Sequence, residues 1–194
     1  MKVGIIGTGD VGTALANSLG AAGHEVVLGS RTPDTHDGVH PIQSQQAAAE
    51  HGDVVILAVP ADVAVDLAET LARVLDGVPL VDTASQYPTA TSHDPLAVRV
   101  AEAAPRAAVV KAFNIIGANR MTDPVIEGET ATMLLAGNDR TAVTTVSRLA
   151  DDIGFEPVVA GDLEAAGRLE DLARLWIDLS RTHGRDIGFR LLGV

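Results

Sequence analysis

The chain of 194 residues is long enough to bury a sizeable core, and 46% hydrophobic with 21% charged residues is the composition of a soluble globular protein. A formal net charge of −12 at pH 7 argues against general binding to nucleic acids or to anionic membrane surfaces. The absence of cysteine excludes disulfides, a thiol nucleophile and thiolate metal sites.

The first predicted element is a strand over residues 3–6, followed at once by a glycine-rich turn and a helix that runs to about residue 22. The turn reads Gly7-Thr8-Gly9-Asp10-Val11-Gly12, a G-x-G-x-x-G pattern in the strand–turn–helix context of dinucleotide-binding sites. We expect Gly7 to make the tight turn, Gly9 to let a pyrophosphate approach the backbone, and Gly12 to let helix and strand pack closely. The phosphates would then meet free N–H groups at the positive end of the helix dipole.

The second predicted strand covers residues 25–28, and its tip carries Ser30, Arg31 and Thr32. NAD enzymes usually place an acidic residue at this tip to hold the ribose 2′-hydroxyl, and no acid stands between Val26 and Thr32. A guanidinium with two hydroxyls suits a 2′-phosphate instead. The tip therefore favours NADP over NAD. Because Asp34 lies nearby, the alternative that this is an ordinary polar turn remains open.

Apolar runs and helical spacing predict the remaining elements. Helices are expected over 43–51, 61–75, 95–104, 139–152 and 163–182, and strands over 53–59, 78–81, 107–112, 132–136 and 156–159. This alternation predicts an α/β fold, a doubly wound parallel sheet of the Rossmann type with extra C-terminal strands and a long C-terminal helix. We expect a single NADP-binding domain over residues 1–194, with a helical extension from about residue 162.

Two segments leave predicted strands at the carboxyl edge, where open α/β sheets bind ligands: the polar segment 82–93, and the loop 111–117 with its one amide and two isoleucines. The segment 82–93 contains Tyr87, for which packing over a neighbour is favoured over a role in the pocket. No Ser/His/Asp set or paired carboxylate stands out, so no catalytic side chain is predicted. His36, Asp37 and His40 are interpreted as turn residues, and no metal site is expected.

The last predicted helix carries an apolar stripe at helical spacing: Leu169, Leu172, Leu175, Trp176 and Leu179. Such a stripe indicates core or subunit interface, and because no further domain is predicted to cover it we expect a homodimer. We expect no signal peptide and no membrane span, since the first residues lead directly into a strand and the apolar run 54–65 is interrupted by Pro60 and Asp62. A cytoplasmic location follows by default.

Five segments along the chain carry a family resemblance: GIIGTGDVG at 4–12, GSR at 29–31, VVKAFNIIG at 109–117, MLLAGND at 133–139 and AGDLEAAGRLEDLARLWIDL at 160–179. In these segments, and along nearly its whole length, the sequence resembles the deazaflavin-dependent NADP reductases, the NADPH:F420 oxidoreductase family. The GSR triplet and the KAFN loop are the more specific parts of the resemblance. The cytoplasmic domain of the six-transmembrane metalloreductases is similar too and carries a related AFN loop.

The resemblance implies an NADP-binding dimer that passes hydride between NADP(H) and coenzyme F420 or a flavin-like ring. By position, it places Thr8, Gly9, Asp10 and Val11 at the pyrophosphate; Ser30, Arg31 and Thr32 at the 2′-phosphate; Ala58, Val59 and Pro60 at the adenosine side and inner ribose; and Asn114, Ile115, Ile116 and Gly117 by the nicotinamide and second substrate. Archaeal members carry histidine where this chain has Asn114, so the acceptor stays open.

Two alternatives remain at this stage. One is an NADPH-dependent reductase of a small imine or carbonyl, a class that closes its site with a helical second domain not predicted here. The other is a non-catalytic NADP(H)-binding sensor domain.

Overall fold

The computed structural model describes residues 1–33, 39–90 and 92–193. Within these ranges the strands are β1 (Lys2–Ile6), β2 (Glu25–Ser30), β3 (Ile42–Ser44), β4 (Val54–Leu57), β5 (Pro79–Asp82), β6 (Ala108–Lys111), β7 (Val125–Ile126), β8 (Glu129–Thr130), β9 (Thr132–Gly137) and β10 (Glu156–Gly161). Eight of them form one sheet in the order β10-β9-β6-β5-β4-β1-β2-β3, and β7 and β8 form a separate hairpin. The central strands read as continuous apolar runs because helices bury both faces of the sheet.

The helices are α1 (Asp10–Ala21), α2 (Gln45–His51), α3 (Ala61–Leu71), α4 (Leu96–Ala103), α5 (Arg140–Asp152) and α6 (Ala166–His183), with 3-10 turns at Ala118–Arg120 and Leu163–Ala165. Helices α1 and α5 pack into the apolar cluster on one face of the sheet. Helices α2, α3 and α4 and the first turn of α6 pack into the cluster on the other face. The prediction of a doubly wound sheet with a long C-terminal helix is confirmed.

One part of the sheet prediction is wrong: β9 runs antiparallel to β6, with Lys111 opposite Ala136, and β10 pairs parallel to β9. The sheet is therefore mixed. The chain between β6 and β9 contains a 3-10 turn and the β7–β8 hairpin but no α-helix. A parallel return needs a long crossover, usually helical, and without one the chain re-enters the sheet in the opposite direction.

Two further elements were not predicted, the edge strand β3 and the hairpin of β7 and β8. Strand β3 pairs with β2, so the helix expected from residue 43 begins at Gln45, where the Ser44 hydroxyl caps it by accepting the Ala47 N–H at 3.2 Å. These strands have two or three residues each, too short for a period of two to be visible in the sequence.

The C-terminal segment covers part of the stripe on α6. Trp176 is 5% exposed, and its indole N–H donates to the carbonyl of Ile187 at 3.0 Å. The Thr132 N–H donates to the Phe189 carbonyl at 2.8 Å, which ties the segment to the first residue of β9. Of the two interpretations of the stripe, core or subunit interface, the structure therefore places Trp176 in the core, and this side chain no longer supports the expected homodimer. Leu175 is 49% exposed.

Strand register brings the chain segments that follow five strands to one edge of the sheet. Ile6 pairs with Gly29 and Leu57, Leu57 pairs with Asp82, and Asp82 pairs with Lys111. The turns after β1, β2, β4, β5 and β6 therefore leave the sheet together, on the side where open α/β sheets bind ligands. No described helix is long and apolar enough to cross a membrane.

Candidate functional site: a nucleotide cleft at the carboxyl edge

The glycine turn has the geometry that its sequence predicts. Gly7 has φ of +124° and donates its N–H to the Gly29 carbonyl at 2.9 Å, which joins the turn to β2. A Cβ at Gly7 would clash with the Ala58 carbonyl oxygen, and a Cβ at Gly12 would clash with the Gly7 carbonyl oxygen. A Cβ added at Gly9 would have no atom within 4 Å. The turn is therefore closed toward the sheet and open toward solvent.

The backbone donors at the start of α1 follow directly after this open position. Gly9 is the N-cap of α1 and provides no side-chain cap, and the first helical N–H to find a backbone partner is that of Thr13, which donates to the Gly9 carbonyl at 2.9 Å. The N–H groups of the first three helical residues precede it and have no intrahelical acceptor. Together with the helix dipole they form a site for an anion. The exposed Asp10 carboxylate stands in the same turn.

The tip of β2 places its three polar residues differently. Ser30 is buried, and its hydroxyl accepts the Thr32 N–H at 3.1 Å, which shapes the turn. Arg31 and Thr32 are exposed. Residues 34–38 lie outside the described residues. They include Asp34, and also His36 and Asp37, which were considered as metal ligands. Among the described residues no group of three potential metal ligands occurs.

A cleft of about 270 Å³ brings two of the predicted segments together, the glycine turn and the segment after β4. One wall is the start of α1, the second is the segment after β4 that includes Ala58, Val59 and Pro60, and the third is Thr83, Ala84 and Ser85 after β5. From the sequence, the residues of this third wall were expected to form a polar loop and were not predicted to be site residues. It is fixed to its neighbour by the Thr83 hydroxyl, which donates to the Leu57 carbonyl at 2.9 Å.

The loop after β6 contributes Asn114 to this edge of the sheet. The preceding residue, Phe113, has φ of +58°, a left-handed conformation that is strained for a bulky residue and that is common at functional sites. The Asn114 side-chain N–H groups donate to the Ser85 hydroxyl at 3.1 Å and to the Leu169 carbonyl at 2.9 Å. Because the Leu169 carbonyl can only accept, these bonds fix which end of the amide is nitrogen. The amide oxygen is buried and has no hydrogen-bond partner.

The rest of this loop belongs to the core. Ile115 and Ile116 are 1% and 7% exposed and lie in the apolar cluster with Phe113. A Cβ at Gly117 would meet the Trp176 ring at 2.9 Å, so this glycine makes room for the indole. The structure thus places Asn114 by the cleft wall, whereas it packs the two isoleucines and Gly117 against the protein interior.

Three ionisable side chains that the sequence alone did not indicate lie buried at the same edge. Lys111 and Asp82 are fully buried and Glu170 is 2% exposed. The Lys111 ammonium lies 2.8 Å from the Asp82 carboxylate and 3.4 Å from the Glu170 carboxylate. Burial raises the pKa of the Glu170 carboxyl, the Lys111 ammonium opposes that rise, and the Asp82 carboxylate adds to it. Polar residues at the ends of the apolar strands VPLVD and AAVVKA are the sequence signal for two of these residues.

Tyr87 packs against α6, as the sequence analysis favoured. Its hydroxyl donates to the Asp178 carboxylate at 2.8 Å, and the Arg181 guanidinium lies 4.8 Å from the ring centroid. The hydrogen bond to Asp178 raises the pKa of the phenol. Tyr87 also lines a second depression of about 480 Å³, which shares Ala61 with the cleft.

Comparisons with known proteins show which family the chain resembles. The model of the family "NADP oxidoreductase coenzyme F420-dependent" matches residues 2–86. The F420-dependent NADP reductase of Methanothermobacter thermautotrophicus is 33% identical over an alignment that covers 100% of this chain and 96% of the relative. The metalloreductase STEAP3 of Rattus norvegicus is 34% identical over 87% of this chain, but this chain spans 36% of that protein.

A solved structure shows the same fold over the full length. The crystal structure of a candidate F420-dependent NADP reductase from Arthrobacter sp. FB24 superposes with a TM-score of 0.91 at 27% identity and covers 100% of both chains. Its whole-chain match includes strand β9, whose direction the sheet prediction had wrong, and the long C-terminal helix. The chain therefore belongs to the family of F420-dependent NADP oxidoreductases.

Proposed function

We propose that the chain transfers hydride between NADPH and the deazaflavin coenzyme F420 or a flavin-like ring. The observation that carries the proposal is the cleft at the carboxyl edge, which leads from open helix donors above Gly9 to the wall held by Asn114. Membership of a family of F420-dependent NADP oxidoreductases supports the choice of both ring systems. Residues 1–194 would act as one nucleotide-binding unit.

The cofactor would be held along this cleft in the order of the strands. The backbone of Thr8, Gly9, Asp10 and Val11 would bind the pyrophosphate, and Ser30, Arg31 and Thr32 would bind the 2′-phosphate. The exposed Arg31 guanidinium is the strongest of these groups, because hydrogen bonds to phosphate are charge-assisted and often bidentate. Ala58, Val59 and Pro60 would contact the adenosine side and the inner ribose.

Asn114 would orient the nicotinamide. A carboxamide has N–H donors, and the buried oxygen of Asn114 is an acceptor without a partner. A buried acceptor left unpaired costs about 1–3 kcal/mol, so a ligand that donates to it recovers that cost on binding. The observed packing changes the earlier expectation for Ile115 and Ile116: they would support this loop from the core, and they offer little surface to a ring.

The protein's part in the reaction is positioning and exclusion of water. NADPH supplies the hydride when it is bound. The chain's own residues hold one ring by its carboxamide and its phosphates, and bring the second ring within contact distance. Hydride transfer requires no side-chain nucleophile, and the proposal assigns none.

The test is to mix the purified protein with NADPH and oxidised F420 and to follow the visible absorbance of the deazaflavin. We expect loss of that absorbance in proportion to NADPH consumed, with NADH a poorer donor. Consumption of NADPH with a cyclic imine or a small carbonyl, and none with F420, would favour the reductase of imines or carbonyls. Tight NADPH binding with no turnover on any acceptor would favour the sensor domain.

A homodimer and a cytoplasmic location complete the proposal. Since Trp176 is covered within the chain, the support for a dimer is reduced to exposed apolar residues such as Leu175 on α6 and Val159 on the edge strand β10. Sedimentation at micromolar concentration should give the mass of two chains. A single-chain mass under those conditions would contradict the dimer and leave the proposed reaction untouched.

A further inference from the structure

The buried ions at the carboxyl edge do not touch the open cleft, yet they are bonded to its wall. Besides its two carboxylate partners, the Lys111 ammonium donates to the Ala84 carbonyl. The Ala84 N–H in turn donates to the Asp82 carboxylate at 3.0 Å. Ala84 lies between Thr83 and Ser85 in the third wall of the cleft. The ammonium therefore fixes the backbone of that wall from below.

The same ammonium reaches α6 through Glu170. The Glu170 carboxylate accepts the Leu96 N–H at 2.9 Å as well as the contact from Lys111, so it joins the start of α4 to α6 and to β6. Leu169, the preceding residue, is the one whose carbonyl accepts from Asn114.

These bonds meet at Asn114. Its two acceptors are the Ser85 hydroxyl and the Leu169 carbonyl, and each belongs to a residue adjacent to a Lys111 partner, Ala84 and Glu170 respectively. The strained Phe113 stands between Lys111 and Asn114 in the chain. The position of the amide, and with it the direction of its unpaired oxygen, is thus set by elements that converge on one ammonium group.

Stability alone is a weak explanation for such a cluster. Replacing buried ion pairs by apolar groups of similar volume is often neutral or stabilising, because desolvation offsets the attraction between the charges. Apolar side chains could fill this space between β5, β6 and α6. What they could not do is hold the Ala84 carbonyl and the Glu170 carboxylate at fixed distances from one point.

We propose that Lys111 is a positioning residue, which with Asp82 and Glu170 fixes the amide of Asn114 so that it binds the carboxamide of the nicotinamide ring. The inference rests on the proposed function, since it requires NADP(H) in the cleft. It does not require turnover and can be tested by binding alone.

The test compares two variants that differ only at position 111. Both carry Asp82→Asn and Glu170→Gln, which keep oxygen acceptors for the Ala84 and Leu96 N–H groups; one adds Lys111→Gln, which keeps an N–H donor, and the other Lys111→Met, which has none. NADP⁺ is compared with 2′-phospho-ADP-ribose, which lacks the nicotinamide. Arg106→Met, which breaks an exposed pair with Asp76, is the control for loss of an ion pair elsewhere.

We expect the Met variant to bind NADP⁺ about three- to tenfold more weakly than wild type, the loss of one neutral hydrogen bond, while its affinity for 2′-phospho-ADP-ribose is unchanged. The Gln variant should keep most of the affinity for NADP⁺. Equal weakening of both ligands, or equal affinities in the two variants, would overturn the inference. If the Met variant does not fold, Glu170→Met alone, which removes the acceptor that joins Lys111 to α6, must weaken NADP⁺ binding selectively. No selective change in that variant would overturn the inference equally.

Asn114→Ala separates the inference from the function on which it rests. If this variant binds NADP⁺ as tightly as wild type, the proposed nicotinamide site is wrong and the role of Lys111 fails with it. If Asn114→Ala lowers the affinity and the changes at the cluster do not, the nicotinamide site stands and only the positioning role is refuted.

Discussion

Replacing Arg31 by alanine should weaken NADPH binding and leave NADH binding nearly unchanged. Arg31 is exposed at the end of β2, where the glycine turn is tied to the same strand through the Gly7–Gly29 hydrogen bond. A hydrogen bond to a charged group contributes about 1.5–3 kcal/mol, and each 1.4 kcal/mol is a factor of about ten in affinity. The expected loss is therefore roughly ten- to a hundredfold. Solvent screening of an exposed guanidinium places it toward the lower value.

The measurement is a titration of both reduced cofactors into wild type and variant, followed by nicotinamide fluorescence at low and at high salt. The difference between the proteins should shrink as salt is added, because the lost interaction is between charges. Arg73→Ala, an exposed arginine in the turn after α3, is the matched control for the change of net charge. A wild-type preference for NADH, or equal weakening of NADH and NADPH by Arg31→Ala, would refute the assignment of the 2′-phosphate to this tip.

Three further substitutions have defined outcomes. Gly12→Ala should lower both the melting temperature and the affinity for NADPH, since its Cβ would clash with the Gly7 carbonyl oxygen; an unchanged affinity would contradict the packing described here. Ile116→Trp should cost about 1–3 kcal/mol in stability by overpacking the core, and a loss of turnover at wild-type stability would instead put this side chain at the ring. Glu170→Gln should flatten the pH dependence of stability. The folded pKa of Glu170 is raised, so between the unfolded pKa of about 4.3 and the folded pKa the native state binds more protons than the unfolded chain. Stability therefore falls as pH rises through that window. The free energy of unfolding of both proteins is measured by denaturant titration at several pH values from 4 upward. Equal slopes of that free energy against pH would contradict this prediction.

Local features of the site could be predicted from the sequence, and long-range ones could not. The roles of Gly7 and Gly12 follow from a short pattern whose backbone geometry is the same wherever a strand leads through it into a helix. The direction of β9 depends on what is missing between residues 112 and 131, namely a crossover helix, and the alternation of elements elsewhere concealed that absence.

The isoleucines after Asn114 show a second limit. Two apolar residues in a loop at the ligand edge suit a platform for a ring and a plug for the core equally well, and only the packing of Ile115 and Ile116 separates the two. The cluster around Lys111 shows a third limit. In the sequence, Glu170 can be recognised only as a charged residue four positions after Ala166, on the face of α6 that is buried.

The hydrogen bonds of α6 have a consequence for the order in which the protein can assemble during synthesis. They join residues far apart in the chain: Asn114 and Leu169 are separated by 55 positions and Leu96 and Glu170 by 74. The residues of the glycine turn and of the tip of β2, by contrast, all lie within the first 32 positions. Ribosomes add about 5–20 residues per second, so the segments proposed to bind phosphate emerge several seconds before the helix that holds the Asn114 amide. Until α6 emerges, a nascent chain carries the proposed donors for phosphate but has no fixed position for the amide proposed to bind the nicotinamide.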